Sequence, residues 1–294
     1  MQMFHADYVA PASLEELLTT LHHHAGEAKI IAGGTDLVPQ MRLGRINPKV
    51  LVDPKRLPLV GISETRSYIH LGASVTHTQV VNSALLQAEY PALVDACHQV
   101  GGHSIRNRGT LAGNLANASP AADSALPLLI YDAQVVIASL AGDRVIPLAK
   151  FYIGPGQACL AADEFICELR LPKLPSRTLS IFLKLGNRKA MAIAVASVAV
   201  RLSLDELGRI TEARIALGSV APTPVRATQA EAILQANFLD GEVISTAAEA
   251  AQQAASPISD LRASAGYRSK MVAVLTRRAL QMVYSQLTAG EAHA

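Results

Sequence analysis

The hydrophobic pattern of the first 55 or so residues predicts a small β-α-β-like unit. Four leucines between positions 14 and 21 fall on one face of a helix, and a capping-box spacing begins at Ser13. Two short apolar runs, 28–32 and 50–52, have the length and composition of buried strands. Between them, Gly-Gly-Thr-Asp at 33–36 precedes a predicted helix start at residue 37.

The middle of the chain predicts a second unit that mixes strands and helices. Strand patterns cover residues 68–73 and 165–171, and helical patterns cover 75–86 and 92–100. Residues 134–139 and 145–148 predict a hairpin around Ala141-Gly142-Asp143. Two prolines within residues 172–176 mark the best candidate boundary, because they suit a linker better than a helix or strand.

The last third of the chain predicts an antiparallel meander followed by helices. The strand patterns cover 182–185, 194–202 and 210–217, and the helical patterns cover 228–236, 241–254 and 264–287. Because 294 residues exceed the usual size of one compact core, we expect two domains of an α+β fold.

Composition and charge exclude several classes of protein. Half of the residues are hydrophobic and 17% are charged, so the chain is not expected to be disordered. A net charge of +2, without a cluster of basic and aromatic residues, argues against nucleic-acid binding. The most apolar stretch, 190–200, is shorter than the about 20 residues that a membrane span needs. Residues 1–8 lack the features of a signal peptide, so we expect a cytoplasmic protein without a membrane span.

The cysteines and histidines do not predict a metal site. Cys97, Cys159 and Cys167 are odd in number and form no C-x-x-C pair, so we interpret them as free thiols. Three consecutive histidines at 22–24 point in different directions on a helix, whereas a chelating pair needs a spacing of four.

Two stretches carry candidate binding chemistry. Residues 110–123 read T-L-A-G-N-L-A-N-A-S-P-A-A-D and combine short polar side chains with Gly113, which allows a backbone to approach a ligand closely. An ordinary turn and a binding loop both fit this stretch. Residues 33–36 join a strand to a helix start, an arrangement that directs backbone N–H groups at a phosphate, but neither G-x-G-x-x-G nor a P-loop is present.

Read together, several ordered motifs resemble a known family. They are A-G-G-T-D at 32–36, I-R-N-R-G-T-L-A-G-N at 105–114, A-S-P-A-A-D-S at 118–124, A-P-T-P-V-R-A at 221–227 and Y-R-S-K-M at 267–271. These motifs resemble the FAD-binding medium subunit of molybdenum hydroxylases, the family of xanthine dehydrogenase and carbon monoxide dehydrogenase. The resemblance covers nearly the whole chain.

The resemblance implies a division into domains. Residues 1–175 would form an FAD-binding region of the vanillyl-alcohol-oxidase/PCMH type, with subdomains at about 1–57 and 58–175. Residues 176–294 would form the flavoprotein C-terminal domain, with an antiparallel sheet and helices.

The resemblance also implies which residues bind FAD. Two glycine loops would hold the pyrophosphate, the carboxylate of Asp123 would accept a hydrogen bond from a flavin hydroxyl, and Lys184 would lie near the isoalloxazine ring. Apolar packing on the ring would come from Val100 and Ile166. The loop residues are Ala32, Gly33, Gly34, Thr35 and Asp36 in the first loop and Thr110, Gly113 and Asn114 in the second. Alternative interpretations are an Asp123 that stabilises its own turn, a solvated Lys184, and core positions for the two apolar residues.

The implied function is electron transfer within a complex. A molybdopterin-binding large subunit would oxidise the substrate, a small subunit with two-iron iron-sulfur clusters would carry electrons, and FAD would pass them to an acceptor such as NAD, quinone or oxygen. The family often has an acidic or aromatic residue where this chain has Met191 and Ala192, which leaves the acceptor open. The scattered cysteines argue against the four-iron cluster that some members carry in this subunit.

No general acid, base or nucleophile is expected in this chain, and alone it is not expected to act on substrate. Two other functions remain open. One is a self-sufficient flavoenzyme of a related fold, such as UDP-N-acetylenolpyruvoylglucosamine reductase, and the other is a flavin-free interaction module.

Overall fold

The first unit is a three-stranded parallel sheet with two helices. We describe a computed structural model over residues 5–291; residues 1–4 and 292–294, which include the start of the segment judged to lack signal-peptide features, lie outside the described residues. The elements are β1 (Asp7–Val9), α1 (Leu14–His23), β2 (Ala28–Ile30), α2 (Leu37–Arg42) and β3 (Val50–Val52), with strand order β1-β3-β2. The predicted β-α-β connection is therefore present, because β2 and β3 pair in parallel.

The start of α1 differs in one detail from the predicted capping box. The Oγ of Ser13 accepts a hydrogen bond from the N–H of Glu16, as predicted. The carboxylate of Glu16, however, accepts from the N–H of Ala12 and not from that of Ser13. The helix is thus capped by the same two side chains, with the return bond shifted by one residue.

The second unit is a five-stranded antiparallel sheet that packs against a group of short helices. Its elements are β4 (Ile62–Glu64), β5 (Tyr68–Gly72), α3 (His77–Asn82), α4 (Ala84–Glu89), α5 (Pro91–His98), α6 (His103–Arg106), α7 (Leu111–Ala116), α8 (Ala125–Ile130), β6 (Gln134–Ala138), β7 (Arg144–Pro147), β8 (Tyr152–Gly154), β9 (Gln157–Ala158) and β10 (Phe165–Pro172). The sheet order is β4-β5-β10-β6-β7, and β8 and β9 form a separate hairpin. The single helix predicted over 75–86 was wrong, because Ser83 ends α3 and its Oγ caps α4.

The C-terminal part is a four-stranded antiparallel sheet covered by three helices. It comprises β11 (Thr178–Gly186), β12 (Ala194–Leu204), β13 (Ile210–Gly218), β14 (Val225–Arg226), α9 (Thr228–Leu234), α10 (Gly241–Gln253) and α11 (Ala265–Glu291). The strands follow one another in chain order across the sheet, so the predicted meander is correct and β14 extends it.

Strand β12 is buried on both faces, which joins the two parts of the chain. Its even-numbered residues, such as Val198 and Val200, belong to the hydrophobic core formed with the C-terminal helices. On the opposite face, Ala199 belongs to the core of the N-terminal part, and α8 packs against the same strand. Because side chains alternate across a strand, the sheet lies between its own helices and the N-terminal part.

Other sequence-based expectations concern membranes, metals and thiols. Within residues 5–291, no helix combines the length and apolar character needed to cross a membrane. Across the same residues, no three His, Cys, Asp or Glu side chains are placed to share a metal ion. The three cysteines are free thiols; Cys97 and Cys167 are buried, and Cys159 is half-buried.

Candidate functional site

A deep cleft of about 770 Å³ lies between the first unit and the second. One wall contains both glycine segments, and the hairpin β8–β9 with the strand end at Ile166 contributes to the lining. Ten of the predicted site residues line this cleft: Ala32, Gly33, Gly34, Thr35, Asp36, Val100, Thr110, Gly113, Asn114 and Ile166. The fold therefore brings together segments that are far apart in the sequence.

The first glycine segment connects β2 to α2. Gly34 has a φ of +72°, a left-handed conformation that glycine adopts without the strain imposed by a Cβ. The backbone N–H groups of Gly33, Gly34 and Thr35 donate no hydrogen bond to any residue in the described range 5–291. These groups are available to an anion at the cleft wall, since each N–H is a strong donor that needs a partner when shielded from water.

The second glycine segment is partly helical, which corrects its interpretation as a loop. Thr110 is the N-cap of α7, and its Oγ accepts a hydrogen bond of 3.0 Å from the N–H of Gly113. A Cβ on Gly113 would lie 2.8 Å from that Oγ, so a larger residue would displace the cap. Gly113 therefore permits the tight first turn as well as the approach of a ligand.

The two glycine segments pack directly on each other through their backbones. A Cβ on Gly33 would lie 2.1 Å from the carbonyl oxygen of Arg108 and 2.9 Å from the Cα of Gly109. A Cβ on Gly109 would in turn lie 3.4 Å from the Oγ1 of Thr35. Because glycines meet at this contact, both segments form one continuous wall.

Asp123 and Lys184 form a buried ion pair that is absent from the lining of the cleft. The Nζ of Lys184 lies 2.5 Å from Oδ2 of Asp123, and the two side chains are only 6% and 8% exposed. A solvated Lys184 does not fit this geometry. Lys184 is buried and not solvated, and Asp123 forms no hydrogen bond with its own turn in the described range.

The second carboxylate oxygen of Asp123 is left without a partner. Its Oδ1 is buried and accepts no hydrogen bond from any residue within 5–291. Burial raises the pKa of Asp123 to about 6, although the charge of Lys184 acts in the opposite direction. A buried acceptor without a donor is costly, so this atom marks a position where a ligand group can donate a hydrogen bond.

Hydrogen bonds connect the ion pair to residues that line the cleft. The Nζ of Lys184 also donates to the carbonyl oxygen of Gln99 at 3.2 Å, and the next residue is Val100. Ser124, adjacent to Asp123, donates through its Oγ to Oδ1 of Asn114 at 2.7 Å. The pair therefore borders the cleft through its immediate neighbours.

His77 is a cleft residue that the sequence did not reveal. It is 2% exposed, its N–H donates to the carbonyl oxygen of Gly109, and its Nδ1 lies 3.4 Å from the Sγ of Cys97. Burial, aided by the positive charge of Arg106, lowers the pKa of His77 to about 4. The only signal in the sequence was its position after the helix cap at Thr76, which gave no indication of burial.

Comparison with known proteins agrees with this architecture. Residues 2–174 match the model of the FAD binding domain in molybdopterin dehydrogenase, and residues 181–283 match that of the CO dehydrogenase flavoprotein C-terminal domain. The xanthine dehydrogenase FAD-binding subunit of Escherichia coli O157:H7 is 33% identical, with 94% of each chain covered. The 6-hydroxypseudooxynicotine dehydrogenase complex subunit alpha of Paenarthrobacter nicotinovorans is 34% identical, with 93% of each chain covered.

The fold similarity extends to solved structures. Carbon monoxide dehydrogenase from Hydrogenophaga pseudoflava, in a form that lacks the Mo-pyranopterin moiety, superimposes with a TM-score of 0.93 at 33% identity. The alignment covers 97% of this chain and 99% of that one. The expected α+β fold, with an FAD-binding region followed by a C-terminal domain, is confirmed. The chain belongs to the family of FAD-binding medium subunits of xanthine dehydrogenase and carbon monoxide dehydrogenase.

Proposed function

We propose that this chain is the electron-transfer subunit of a molybdenum hydroxylase complex, with FAD held in the cleft between its first two units. Its partners would be a molybdopterin-binding large subunit and a small subunit with two-iron iron-sulfur clusters. The observation that best supports this proposal is the cleft wall, where both glycine segments meet. There the N–H groups of Gly33, Gly34 and Thr35 donate no hydrogen bond within the described residues.

The residues present fit a flavin dinucleotide. Residues 32–36 offer backbone donors to the pyrophosphate, whereas in 110–114 the N–H groups of Leu111, Gly113 and Asn114 already donate within the chain. The unpaired Oδ1 of Asp123, which borders the cleft without lining it, offers an acceptor to a hydroxyl of the cofactor. Val100 and Ile166 provide apolar surface in the same cleft. FAD supplies redox chemistry that accepts or releases electrons singly or in pairs, while the protein binds and orients it.

The charges around the cleft indicate that an anion would be bound by backbone N–H groups and not by positive side chains. The ionisable residues that line it include Lys29, but also the acidic Asp36 and Glu164. A surplus of positive side chains therefore does not explain how an anion would bind. The N–H groups of Gly33 and Gly34, free within residues 5–291, can bind the anion instead, because each can donate a hydrogen bond to a phosphate oxygen without a positive side chain nearby.

The protonation states of the cleft residues suit a cofactor-binding subunit better than an acid-base catalyst. The low pKa of His77, about 4, keeps its imidazole neutral at pH 7. Burial raises the pKa of the neighbouring Cys97 thiol, so the thiolate that a nucleophile needs is disfavoured. We therefore assign substrate oxidation to the large subunit and electron transfer from the iron-sulfur subunit to an acceptor to this chain.

The acceptor, whether NAD, quinone or oxygen, stays open, because the segment around Met191 departs from the family pattern. This residue is 55% exposed with a φ of +53°, and a Cβ on Gly102 would lie 3.4 Å from its Sδ. Gly102 is close in sequence to Val100, so this segment borders the apolar side of the cleft. We also propose domain limits of 1–175, with subdomains 1–57 and 58–175, and 176–294. The two hydrophobic cores within residues 5–291 support the division near residue 175, whereas the two subdomains share one core.

The first test is the cofactor content and the activity of the full chain expressed alone. We expect one FAD per chain and no hydroxylation of N-heterocycles, purines, aldehydes or carbon monoxide. Turnover of such a substrate by the isolated chain would instead favour a self-sufficient flavoenzyme. A folded but colourless chain that does not take up added FAD would favour a flavin-free module.

The second test is co-expression with the large and small subunits that the proposal requires. We expect a stable complex containing molybdenum, iron and FAD, in which substrate reduces the flavin. In a complex whose variant of this chain lacks FAD, substrate should still reduce the iron-sulfur clusters, but no electrons should reach the acceptor. Unimpaired transfer to the acceptor without FAD would contradict the proposed role.

A further inference from the structure

The ion pair between Asp123 and Lys184 joins the two parts of the chain at the border of the cleft. Asp123 precedes α8 in the N-terminal part, whereas Lys184 lies on β11 of the C-terminal sheet. We propose that Lys184 is a positioning residue for FAD, which holds the Asp123 carboxylate in place and makes cofactor retention depend on the C-terminal part. This inference rests on the proposed FAD site.

The register of β11 directs Lys184 at the N-terminal part. Ser180, Phe182 and Lys184 share one face of the strand, since side chains alternate. On that face the Oγ of Ser180 lies 2.5 Å from the hydroxyl of Tyr131, and Phe182 belongs to the core of the N-terminal part. Lys184 is therefore the last of these three residues of β11 that contact the N-terminal part, and it lies at the border of the cleft.

The ammonium group of Lys184 acts on the cleft through its neighbours. Two of its three donors are committed, one to Asp123 and one to the carbonyl oxygen of Gln99. Its side chain is 6% exposed and does not line the cleft, whereas Val100, next to Gln99, does. The third donor has no partner among residues 5–291, but because the side chain does not line the cleft, we assign the effect of Lys184 to its charge-assisted bond with Asp123.

Asp123 needs Lys184 to remain ionised, because no other positive group within residues 5–291 faces its carboxylate. The charged and titratable groups that face its carboxylate are Lys184 from β11 and the Cys97 thiol from α5, with His77 beyond that thiol. A buried carboxylate that faces only a neutral thiol and a neutral imidazole becomes protonated. The ionised carboxylate, which accepts a strong hydrogen bond from a hydroxyl, would then be lost at neutral pH.

The experiment is an FAD titration of the full-length apoprotein for four proteins: wild type, Lys184→Gln, Asp123→Asn and the double variant. We expect each single variant to bind FAD about 4- to 40-fold more weakly than wild type. Because Lys184 acts through Asp123, the double variant should be no more than about twofold weaker than Asp123→Asn alone. Lys173→Gln is the matched control, since it breaks another lysine ion pair, with Glu64 and Glu89, and should leave FAD affinity unchanged.

Two results would overturn the inference. One is an affinity of Lys184→Gln within about threefold of wild type, and the other is a double variant whose loss is the product of the single losses. Losses of affinity that multiply in this way would mean that Lys184 contacts FAD independently of Asp123. The double variant removes both buried charges, so it remains foldable if a single variant is unstable. A wild-type chain that binds no FAD would refute the proposed function itself.

The pH profile of FAD affinity separates positioning from a purely structural role. In wild type we expect affinity to fall as pH decreases through about 6, where Asp123 takes up a proton. In Lys184→Gln the midpoint should move to higher pH, and Lys184→Arg should restore it because the positive charge returns. A midpoint that is unchanged in Lys184→Gln would overturn the inference, even if the affinity is lower at every pH.

Discussion

The Cα of Gly33 faces the carbonyl oxygen of Arg108 so closely that a Cβ at Gly33 would lie only 2.1 Å from that oxygen. This contact joins the two glycine segments, which come from different units of the fold. The shape of the cleft wall thus depends on the absence of a side chain at Gly33, apart from the donor that its N–H group offers. Substitution there tests the architecture of the wall.

Gly33→Ala should separate the two segments and weaken FAD binding by more than about 10-fold. The methyl group meets backbone atoms that cannot rotate away, so we also expect a loss of about 1–3 kcal/mol in unfolding free energy. FAD titration and urea unfolding of the apoprotein measure both effects. Gly61→Ala is the control, since a Cβ at Gly61 has no other atom within 4 Å among the described residues. Equal affinities for the two variants would contradict this account of the wall.

Gly34→Val should abolish FAD retention for two reasons. The side chain would keep the cofactor away from the backbone, and the backbone conformation at this position is unfavourable for valine. Gly34 has a φ of +72°, and a left-handed conformation costs a residue with a Cβ about 1–2 kcal/mol. Gly26→Val is the matched control, because Gly26 has a φ of +82° and does not line the cleft. We expect comparable losses of stability but a loss of FAD only in the Gly34 variant. Loss of FAD in both would show that general destabilisation releases it.

Asp123→Ala should weaken FAD binding by about 1–3 kcal/mol, or about 5- to 150-fold, and Asp123→Asn should cost less. The amide keeps an acceptor oxygen near the same place but loses the charge. The alanine variant should also lower the unfolding free energy of the apoprotein by about 3–5 kcal/mol, because it leaves Lys184 buried and unpaired. A loss of stability with unchanged FAD affinity would remove Asp123 from the site.

The contribution of His77 to the stability of the apoprotein should be lost in mild acid. The pKa of its imidazole is lowered from 6.5 to about 4, so between these values the unfolded chain binds a proton that the folded chain does not. This contribution is present above pH 6.5, is lost as pH falls towards 4, and amounts to about 3 kcal/mol. His77→Gln should remove it.

Urea unfolding of wild type and His77→Gln at several pH values between 7 and 4 measures this contribution. The raised pKa of Asp123 acts in the opposite direction over the same range, so only the difference between the two proteins isolates His77. A difference that does not change with pH would mean that the pKa of His77 is the same in the folded and the unfolded chain.

Asp132→Ala should weaken the contact between the two parts of the chain. Asp132 lies in the N-terminal part, and its carboxylate is 3.1–3.3 Å from Arg201, Arg214 and Arg226 of the C-terminal sheet. Arg201 is 3% exposed, so loss of one partner leaves a buried charge less well paired. We expect a loss of about 1–2 kcal/mol in unfolding free energy, reduced by the exposure of the carboxylate. Asp163→Ala, which removes the exposed pair with His22, should change stability by less than about 0.5 kcal/mol.

The sequence predicted β12 and β13 well because their pattern is long and regular, but it predicted only residues 182–185 of β11. Strands β12 and β13 have 11 and 9 residues, so alternation and turn residues agree over their length. The short helices α6, α7 and α8 have only four to six residues, too few for a helical period, and were missed. Their existence depends on tertiary contacts and caps such as Thr110.

The candidate site was predictable only in part, for a related physical reason. The glycine segments carry their chemistry locally, since a strand, a glycine turn and a helix start are visible in consecutive residues. Asp123 and Lys184 are 61 positions apart in the sequence, so no local pattern indicates that they form an ion pair. Only the family resemblance placed both residues near FAD, and their direct ion pair was not expected.

The double burial of β12 has a consequence for the synthesis of the protein. Its even-numbered side chains are covered by α11, whose residues follow well after the strand in chain order. While the ribosome adds the intervening segment, Val198, Val200 and Leu202 are not yet covered by α11, and an exposed apolar face of this kind attracts other chains. A nascent chain halted before residue 265 would be a substrate for chaperones and proteases, even though its FAD cleft is already complete.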